Sequence, residues 1–126
     1  MTEKKYVLYG IKKFEKVIEE INERFKDYQD LSSIVLILSE AVSNAFKHGN
    51  KCDCAKPIYI QLKLKGNLLS MEVEDSGPGL KNVIIPENIA EEDILNEHGR
   101  GLFLIRCFAD KIEINKNRII IKKFIH

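Results

Sequence analysis

The chain has almost no net charge, because 20 Lys and Arg residues stand against 19 Asp and Glu residues. A formal net charge of +1 argues against a strongly basic nucleic-acid binder and a charge-driven disordered tail. No apolar run approaches the roughly 18 residues that a membrane helix needs, and the first five residues carry no apolar export segment. We therefore expect neither nucleic acid nor a membrane as a direct partner.

Cysteine is also scarce. The sequence has three cysteines, an odd count, and Cys52 and Cys54 are too close in sequence for an ordinary structural disulfide. A reduced, cytoplasmic protein is the natural interpretation. Internal repeats, low-complexity tracts and Pro/Gly/Ser-rich linkers are absent from the sequence. A chain of 126 residues usually makes one domain, so we expect residues 1–126 to form one α/β-type domain.

Hydrophobic spacing predicts five strands and three helices. The strands are expected at residues 5–9, 58–65, 68–74, 111–114 and 118–124, and the helices at 11–25, 31–47 and 102–109. Asp30 is expected to cap the second helix. Residues 81–98 are acidic and poorly periodic, which is typical of a mobile functional segment. Cys107, on an apolar helix, is most simply a small core residue.

A narrow polar stripe interrupts the otherwise apolar second helix. Glu40, Asn44 and His48 recur at i, i+4 and i+8. A buried carboxylate or carboxamide needs a partner, and another protein group is as good a candidate as a metal ion or phosphate. An Asn oxygen suits Mg²⁺ that bridges phosphates, and a Glu one turn away can accept a proton from an attacking hydroxyl. Lys47 could reach the phosphates as a point charge.

Two glycine motifs follow the stripe. The first, Asp75-Ser76-Gly77-Pro78-Gly79, lies at the end of a predicted strand, where Asp75 could accept a hydrogen bond from an exocyclic amine. By itself it is more simply a turn. The second, Gly99-Arg100-Gly101, is expected to be a turn that opens a helix, where free N–H groups favour an anion. Arg100 could add a charge-assisted contact.

Taken together, the three motifs resemble the N, G1 and G2 boxes of the GHKL (histidine-kinase-like) ATPase superfamily. The resemblance covers roughly residues 30–110 and includes the Gly101-Leu102 pair. Within the superfamily, the run Glu40-Ala41-Val42-Ser43-Asn44-Ala45 and the short chain look most like anti-sigma factor serine kinases of the RsbW and SpoIIAB type. The resemblance implies the Bergerat ATP-binding fold, a two-layer α/β sandwich with helices on one face of a mixed, mostly antiparallel sheet.

The resemblance also implies roles for individual residues. Asn44 would hold Mg²⁺ against the nucleotide phosphates, Glu40 would be the catalytic general base, and Asp75 would bind the adenine amino group. Residues 81–98 would form the ATP lid. The remaining cofactor-binding positions implied are Lys47, His48, Gly77, Gly79, Gly99, Arg100, Gly101 and Leu102.

The function that the resemblance implies is an anti-sigma factor and serine protein kinase that uses ATP and Mg²⁺. Its partners would be a sigma factor and an anti-anti-sigma protein of the STAS type, which it would phosphorylate on serine. Relatives are often homodimers, so a homodimer is a further expectation. Two alternatives stay open: a nucleotide-gated binding module without kinase activity, and the ATPase part of a larger assembly.

A zinc site is a weaker interpretation of the loop after the second helix. His48, Cys52 and Cys54 lie close in sequence, but a structural zinc site takes four ligands. The fourth would have to be the distant His98 or Cys107. Loop thiols beside a histidine at a helix end explain the pattern more simply.

Overall fold

The computed structural model describes residues 2–77 and 97–126 of the chain. The described elements, in chain order, are β1 (Thr2–Tyr9), α1 (Phe14–Arg24), α2 (Leu31–Asn44), a π-helical segment (Ala45–Gly49) that we call the π turn, β2 (Pro57–Lys65), β3 (Leu68–Glu74), α3 (Glu97–Phe108), β4 (Lys111–Asn115) and β5 (Arg118–Phe124). All five predicted strands are present, and the bounds of the third and fifth agree with the prediction.

The strands form one sheet in the order β1-β2-β3-β5-β4, and all four described pairings are antiparallel. Successive side chains of a strand point to opposite faces, so alternating polarity gives the sheet one apolar face. On β2, for example, Ile58, Ile60 and Leu62 are buried, whereas Tyr59 between them is exposed. The mostly antiparallel sheet that we expected is confirmed.

Helices cover the apolar face of the sheet. Helix α1 buries Val17 and Ile21, one turn apart, and the more apolar α2 buries five side chains. The five are Ile34, Ile37, Leu38, Ala41 and Val42. They belong to the same hydrophobic cluster as the inward residues of the sheet, such as Met71 and Ile121. The predicted two-layer α/β sandwich is therefore confirmed.

Asp30 does not cap α2, although it precedes the helix. Its side chain makes no capping hydrogen bond. Instead, Asp30 Oδ2 accepts the backbone N–H of His126 at 2.7 Å, and the His126 carbonyl accepts the N–H of Gln29 at 2.5 Å. The carboxylate holds the last residue of the chain beside the start of α2, so the capping prediction was wrong.

Cys107 lies on the exposed side of α3, so its prediction as a core residue was also wrong. Leu102 and Ile105 are buried and lie one turn apart. At about 100° per residue, Cys107 is roughly 200° around the helix from Ile105, which directs it away from α2 and the sheet.

None of the helices in residues 2–77 and 97–126 combines the length and the hydropathy needed to cross a membrane.

Candidate functional site

The first part of the candidate site is the end of α2 and the π turn that follows it. Glu40 and Asn44 lie one turn apart on α2 and are half-buried. After Asn44 the helix widens, and the Asn50 N–H donates to the Ala45 carbonyl five residues back, at 2.8 Å. The i+8 spacing had predicted that His48 continues the α-helical stripe. Because His48 lies in the wider π turn, the stripe does not continue regularly to it. Such π-helical turns within helices are frequent at functional sites.

Gly101 of α3 lies against the polar stripe of α2. A Cβ atom on this glycine would lie 3.0 Å from Glu40 Oε2 and 3.1 Å from Asn44 Nδ2. Glycine thus lets the α3 backbone approach two polar side chains that any larger residue would push aside. The Asn44 Nδ2 atom is buried and has no hydrogen-bond acceptor among residues 2–77 and 97–126. Such an atom is costly in a folded protein and suggests a ligand.

The second glycine motif is not a turn before a helix, as the sequence had suggested. Helix α3 begins at Glu97, so Gly99, Arg100 and Gly101 lie inside its first turns. Glycine in a helix is unfavourable by about 1 kcal/mol relative to alanine, which is why the pattern predicted a turn. The packing of Gly101 on Glu40 and Asn44 accounts for the difference at that position.

Asp75 follows β3, as predicted, and faces the end of the π turn. Its Oδ1 accepts the backbone N–H of Gly77 at 2.8 Å. A Cβ on Gly49 would lie 2.1 Å from the Asp75 carboxyl group, so only glycine fits there. Burial raises the pKa of the Asp75 carboxyl, and the Gly77 hydrogen bond opposes that shift. The other Asp75 oxygen, Oδ2, lies against Gly49.

A small, partly open cleft connects these parts. Small or apolar side chains form much of its wall, from α2, the π turn, β3, α3 and β5: Ala41, Ala45, Val73, Leu102 and Ile119. Polar groups reach it from Asn44, His48 and Asp75, and from three consecutive residues at the β4–β5 turn: Lys116, Asn117 and Arg118. The arrangement of an apolar wall with a few convergent polar groups is typical of a ligand-binding site.

Asn50 is a residue that sequence reasoning missed. It is fully buried, the only polar residue so buried in the described part of the chain. Its Nδ2 donates to the carbonyls of Lys56 and Pro57 at 3.1 and 3.3 Å, and its Oδ1 accepts the Ser76 N–H at 2.7 Å. Asn50 therefore fixes the loop that carries Asp75 to the end of the π turn.

Asn117, in the turn between β4 and β5, was also missed. Its Nδ2 donates to the Asp75 carbonyl at 2.5 Å, and its own carbonyl accepts the Asp75 N–H at 3.0 Å. The backbone of Asp75 is thus held from one side by Asn117, while Asn50 holds the next residue from the other. An Asn in a strand-connecting turn is so common that no local pattern pointed to this role.

The remaining predicted residues are only partly described. Lys47 and His48 lie in the π turn and are half-buried. Gly79 and residues 81–96 of the expected lid lie outside the described residues, while Glu97 and His98 begin α3. For Gly99 and Arg100 the backbone alone is described. In the described part of the chain, no three His, Cys, Asp or Glu residues are grouped as metal ligands.

The sequence matches a known protein family over most of its length. Residues 11–123 match the family described as the histidine kinase-like ATPase domain. An anti-sigma F factor of Clostridium perfringens is 32% identical over 102 residues, which cover 75% of this chain and 73% of the relative. The anti-sigma F factor of Bacillus subtilis is 27% identical over 90 residues, which cover 70% of this chain and 62% of the relative.

A solved structure of the Acinetobacter baumannii histidine kinase AdeS aligns with 97% of this chain, at a TM-score of 0.46 and 19% identity. The alignment spans 66% of the kinase chain, just under two thirds of its length. Because the family match extends over most of the sequence, the chain belongs to the histidine kinase-like ATPase domain family.

Proposed function

We propose that the chain is a cytoplasmic anti-sigma factor that also acts as a serine protein kinase. It binds a sigma factor, and it uses ATP with Mg²⁺ to phosphorylate an anti-anti-sigma protein of the STAS type. The support for the anti-sigma role is the similarity to the two anti-sigma F factors. The kinase role rests on family membership and on the arrangement of Glu40 and Asn44.

The observation that carries the ATP and Mg²⁺ proposal is the buried Asn44 Nδ2 beside Gly101, for which the described residues offer no acceptor. A group from outside those residues would therefore satisfy this donor. Phosphate oxygens accept such a hydrogen bond, and the Asn44 Oδ1 is the hard oxygen that Mg²⁺ prefers. The residues present therefore fit a magnesium-bound triphosphate at the α2–α3 contact.

The other end of the cleft fits adenine. The Asp75 carboxylate can accept a hydrogen bond from the exocyclic amino group of the base, while Ala41, Val73 and Leu102 offer apolar surface to its ring. Gly77, held by its hydrogen bond to Asp75, lines the base side, together with Gly79. Lys47, His48, Gly99 and Arg100 belong to the phosphate side of this proposal.

In the proposed reaction, Glu40 accepts the proton of a serine hydroxyl as that oxygen attacks the γ-phosphorus of ATP, and the bond to the β–γ bridging oxygen breaks, which releases ADP. Bound Mg²⁺ would neutralise charge that develops on the phosphate oxygens. The Glu40 carboxylate lies beside Asn44, which would position the phosphates, so the base and the reacting group meet at one place. A carboxylate suits this role because its oxygens are hydrogen-bond acceptors that can take up the hydroxyl proton.

Transfer of labelled phosphate from ATP to a STAS protein tests the proposal. We expect label on a serine of the STAS protein, dependent on Mg²⁺, together with binding of a sigma factor in a separate titration. ATP binding without any transfer would instead favour the nucleotide-gated binding module. Sedimentation of the purified chain, with and without ATP, measures the expected homodimer.

A further inference from the structure

Two thiols lie outside the candidate nucleotide site, in the loop between the π turn and β2. Cys52 and Cys54 are both free and exposed, with Asp53 alone between them. The group they form is too small for a structural zinc site, which takes four ligands. Two accessible thiols at this spacing can instead react with each other.

The backbone of the loop is bent at both cysteines. The Asp53 N–H donates to the Asn50 carbonyl at 3.0 Å, and the Lys56 N–H donates to the Asp53 carbonyl at 3.2 Å. Cys52 lies in the first of these turns, with a positive φ of 62°, and Cys54 lies in the second. Even a fully extended chain separates residues i and i+2 by only about 7 Å. A bent chain brings their Cα atoms within the usual disulfide range of about 4.4–6.8 Å.

The same loop is attached to the candidate site. The Cys52 N–H donates to the Phe46 carbonyl in the π turn at 2.9 Å. Beyond Cys54, the carbonyls of Lys56 and Pro57 accept the two hydrogen bonds of the Asn50 amide. The Oδ1 of the same Asn50 side chain accepts the Ser76 N–H. A change in the loop backbone that moves Asn50, or the two carbonyls that accept from it, therefore moves the side chain that positions Ser76.

We propose that Cys52 and Cys54 are a redox-active dithiol, and that closing it to a disulfide is transmitted through Asn50 to Ser76. The oxidant is a small-molecule disulfide of the glutathione class. One cysteine thiolate attacks this disulfide, forms a mixed disulfide and releases one thiol. The second cysteine thiolate then attacks the mixed disulfide and releases the other thiol. The protein loses two electrons and two protons, and the small disulfide gains them.

Peptide-mass measurement after treatment with oxidised glutathione tests the dithiol. The wild-type peptide that carries Cys52 and Cys54 should become two hydrogen atoms lighter and contain both cysteines linked, whether or not the exposed Cys107 takes up a glutathione, and dithiothreitol should reverse the change. The Cys52→Ser and Cys54→Ser variants should each retain one glutathione on the remaining loop cysteine, because no second loop thiol displaces it. Cys107→Ser is the matched control, since it removes an exposed thiol elsewhere. In this variant the Cys52–Cys54 disulfide should form as it does in the wild type.

The Ser76 amide resonance reports the link to the candidate site without any nucleotide. We expect it to shift when wild-type protein is oxidised, and to stay in place when the double variant Cys52→Ser, Cys54→Ser is treated in the same way. A stable mixed disulfide on the wild-type loop, or no reaction there, would overturn the dithiol. Closure of the disulfide with an unchanged Ser76 resonance would overturn the link. Neither outcome bears on whether the chain is a kinase.

Discussion

The side-chain oxygen of Asn50 accepts the backbone N–H of Ser76 at 2.7 Å and so joins two segments that are 26 residues apart. Asn50 follows the π turn, and Ser76 follows Asp75. The two segments contribute the phosphate end and the base end of the proposed nucleotide site. One buried amide therefore holds the relative position of both ends.

Replacing Asn50 with alanine should destabilise the protein by about 2–3 kcal/mol, because the Ser76 N–H would lose its acceptor and two carbonyls would lose a donor. Urea unfolding measures the difference. Asn67→Ala, at an exposed position of the β2–β3 turn, is the control and should change stability by less than about 0.5 kcal/mol. Equal losses in the two variants would contradict the role of Asn50.

The strands were predictable because their side chains alternate with a period of two, as Ile58, Ile60 and Leu62 show on β2. Spacing also singled out Glu40 and Asn44, whereas Asp75 was noted at the end of a predicted strand and its role came from the family resemblance. The structure places Asn44 and Asp75 on one cleft, with Glu40 beside Asn44 at Gly101. Each of these signals is local, and a local pattern can be recognised in the sequence alone.

What could not be predicted depends on distant contacts. Asn50 and Asn117 look like ordinary turn residues until the Asp75 loop is placed between them. Gly101 was assigned to a turn because glycine disfavours helices, and only its packing on α2 shows why it lies within one. Cys107 was misplaced because the apolar residues around it do not reveal which side of α3 is covered.

Replacing Gly101 with alanine should weaken ATP binding by at least about tenfold while changing stability by less than about 1 kcal/mol. The added methyl group would contact Glu40 and Asn44 at 3.0–3.2 Å and displace their flexible ends. Alanine also favours the helix, which offsets part of the strain. Titration with ATP and Mg²⁺ measures the affinity. Cys107→Ala, on the exposed side of the same helix, is the control and should bind ATP with wild-type affinity. Wild-type affinity in Gly101→Ala would show that the added methyl group does not displace the ends of Glu40 and Asn44.

Replacing Asn44 with alanine should abolish Mg²⁺-dependent ATP binding without lowering stability. The buried Nδ2 has no acceptor among the described residues. Its removal therefore eliminates the cost of burying an unsatisfied donor and breaks no hydrogen bond to those residues. The unfolding free energy should stay the same or rise by up to about 1 kcal/mol. Asn22→Ala, at an exposed position of α1, should alter neither property. A loss of more than about 1 kcal/mol in Asn44→Ala would show that the amide is paired in the free protein.

The Asp75 carboxyl should make the stability of the protein depend on pH in the acidic range, and the Asp75→Asn variant should lack this contribution. Burial raises its pKa in the folded state, so the folded protein binds this proton more tightly than the unfolded chain. Between the unfolded and folded pKa values, stability from this group therefore falls as pH rises. Unfolding midpoints across the acidic range, compared between wild type and Asp75→Asn, measure the effect. A difference that does not vary with pH would contradict it.

The affinity for ATP should change with pH in the opposite direction to stability: it should rise as Asp75 loses its proton. The proposed contact uses the ionised carboxylate as acceptor, so protonation of Asp75 removes that acceptor and weakens binding of ATP. Because the pKa is raised, this loss should begin at a higher pH than for an ordinary Asp. Asp75→Asn should bind ATP weakly at every pH. ATP affinity that does not change over the acidic range in the wild type would remove Asp75 from the adenine site.

Replacing Glu40 with glutamine should separate binding from phosphate transfer. Glutamine keeps the size of the side chain beside Gly101 but cannot accept the serine proton, so the transfer rate should fall by about 10²–10⁴-fold. The Kd for ATP should change by less than about threefold, because the base acts on the attacking hydroxyl rather than on the nucleotide. Single-turnover transfer from labelled ATP to the STAS protein measures the rate, and a titration measures the Kd. Glu15→Gln, at an exposed position of α1, is the control and should match the wild type. Transfer at the wild-type rate in Glu40→Gln would assign the base to another residue.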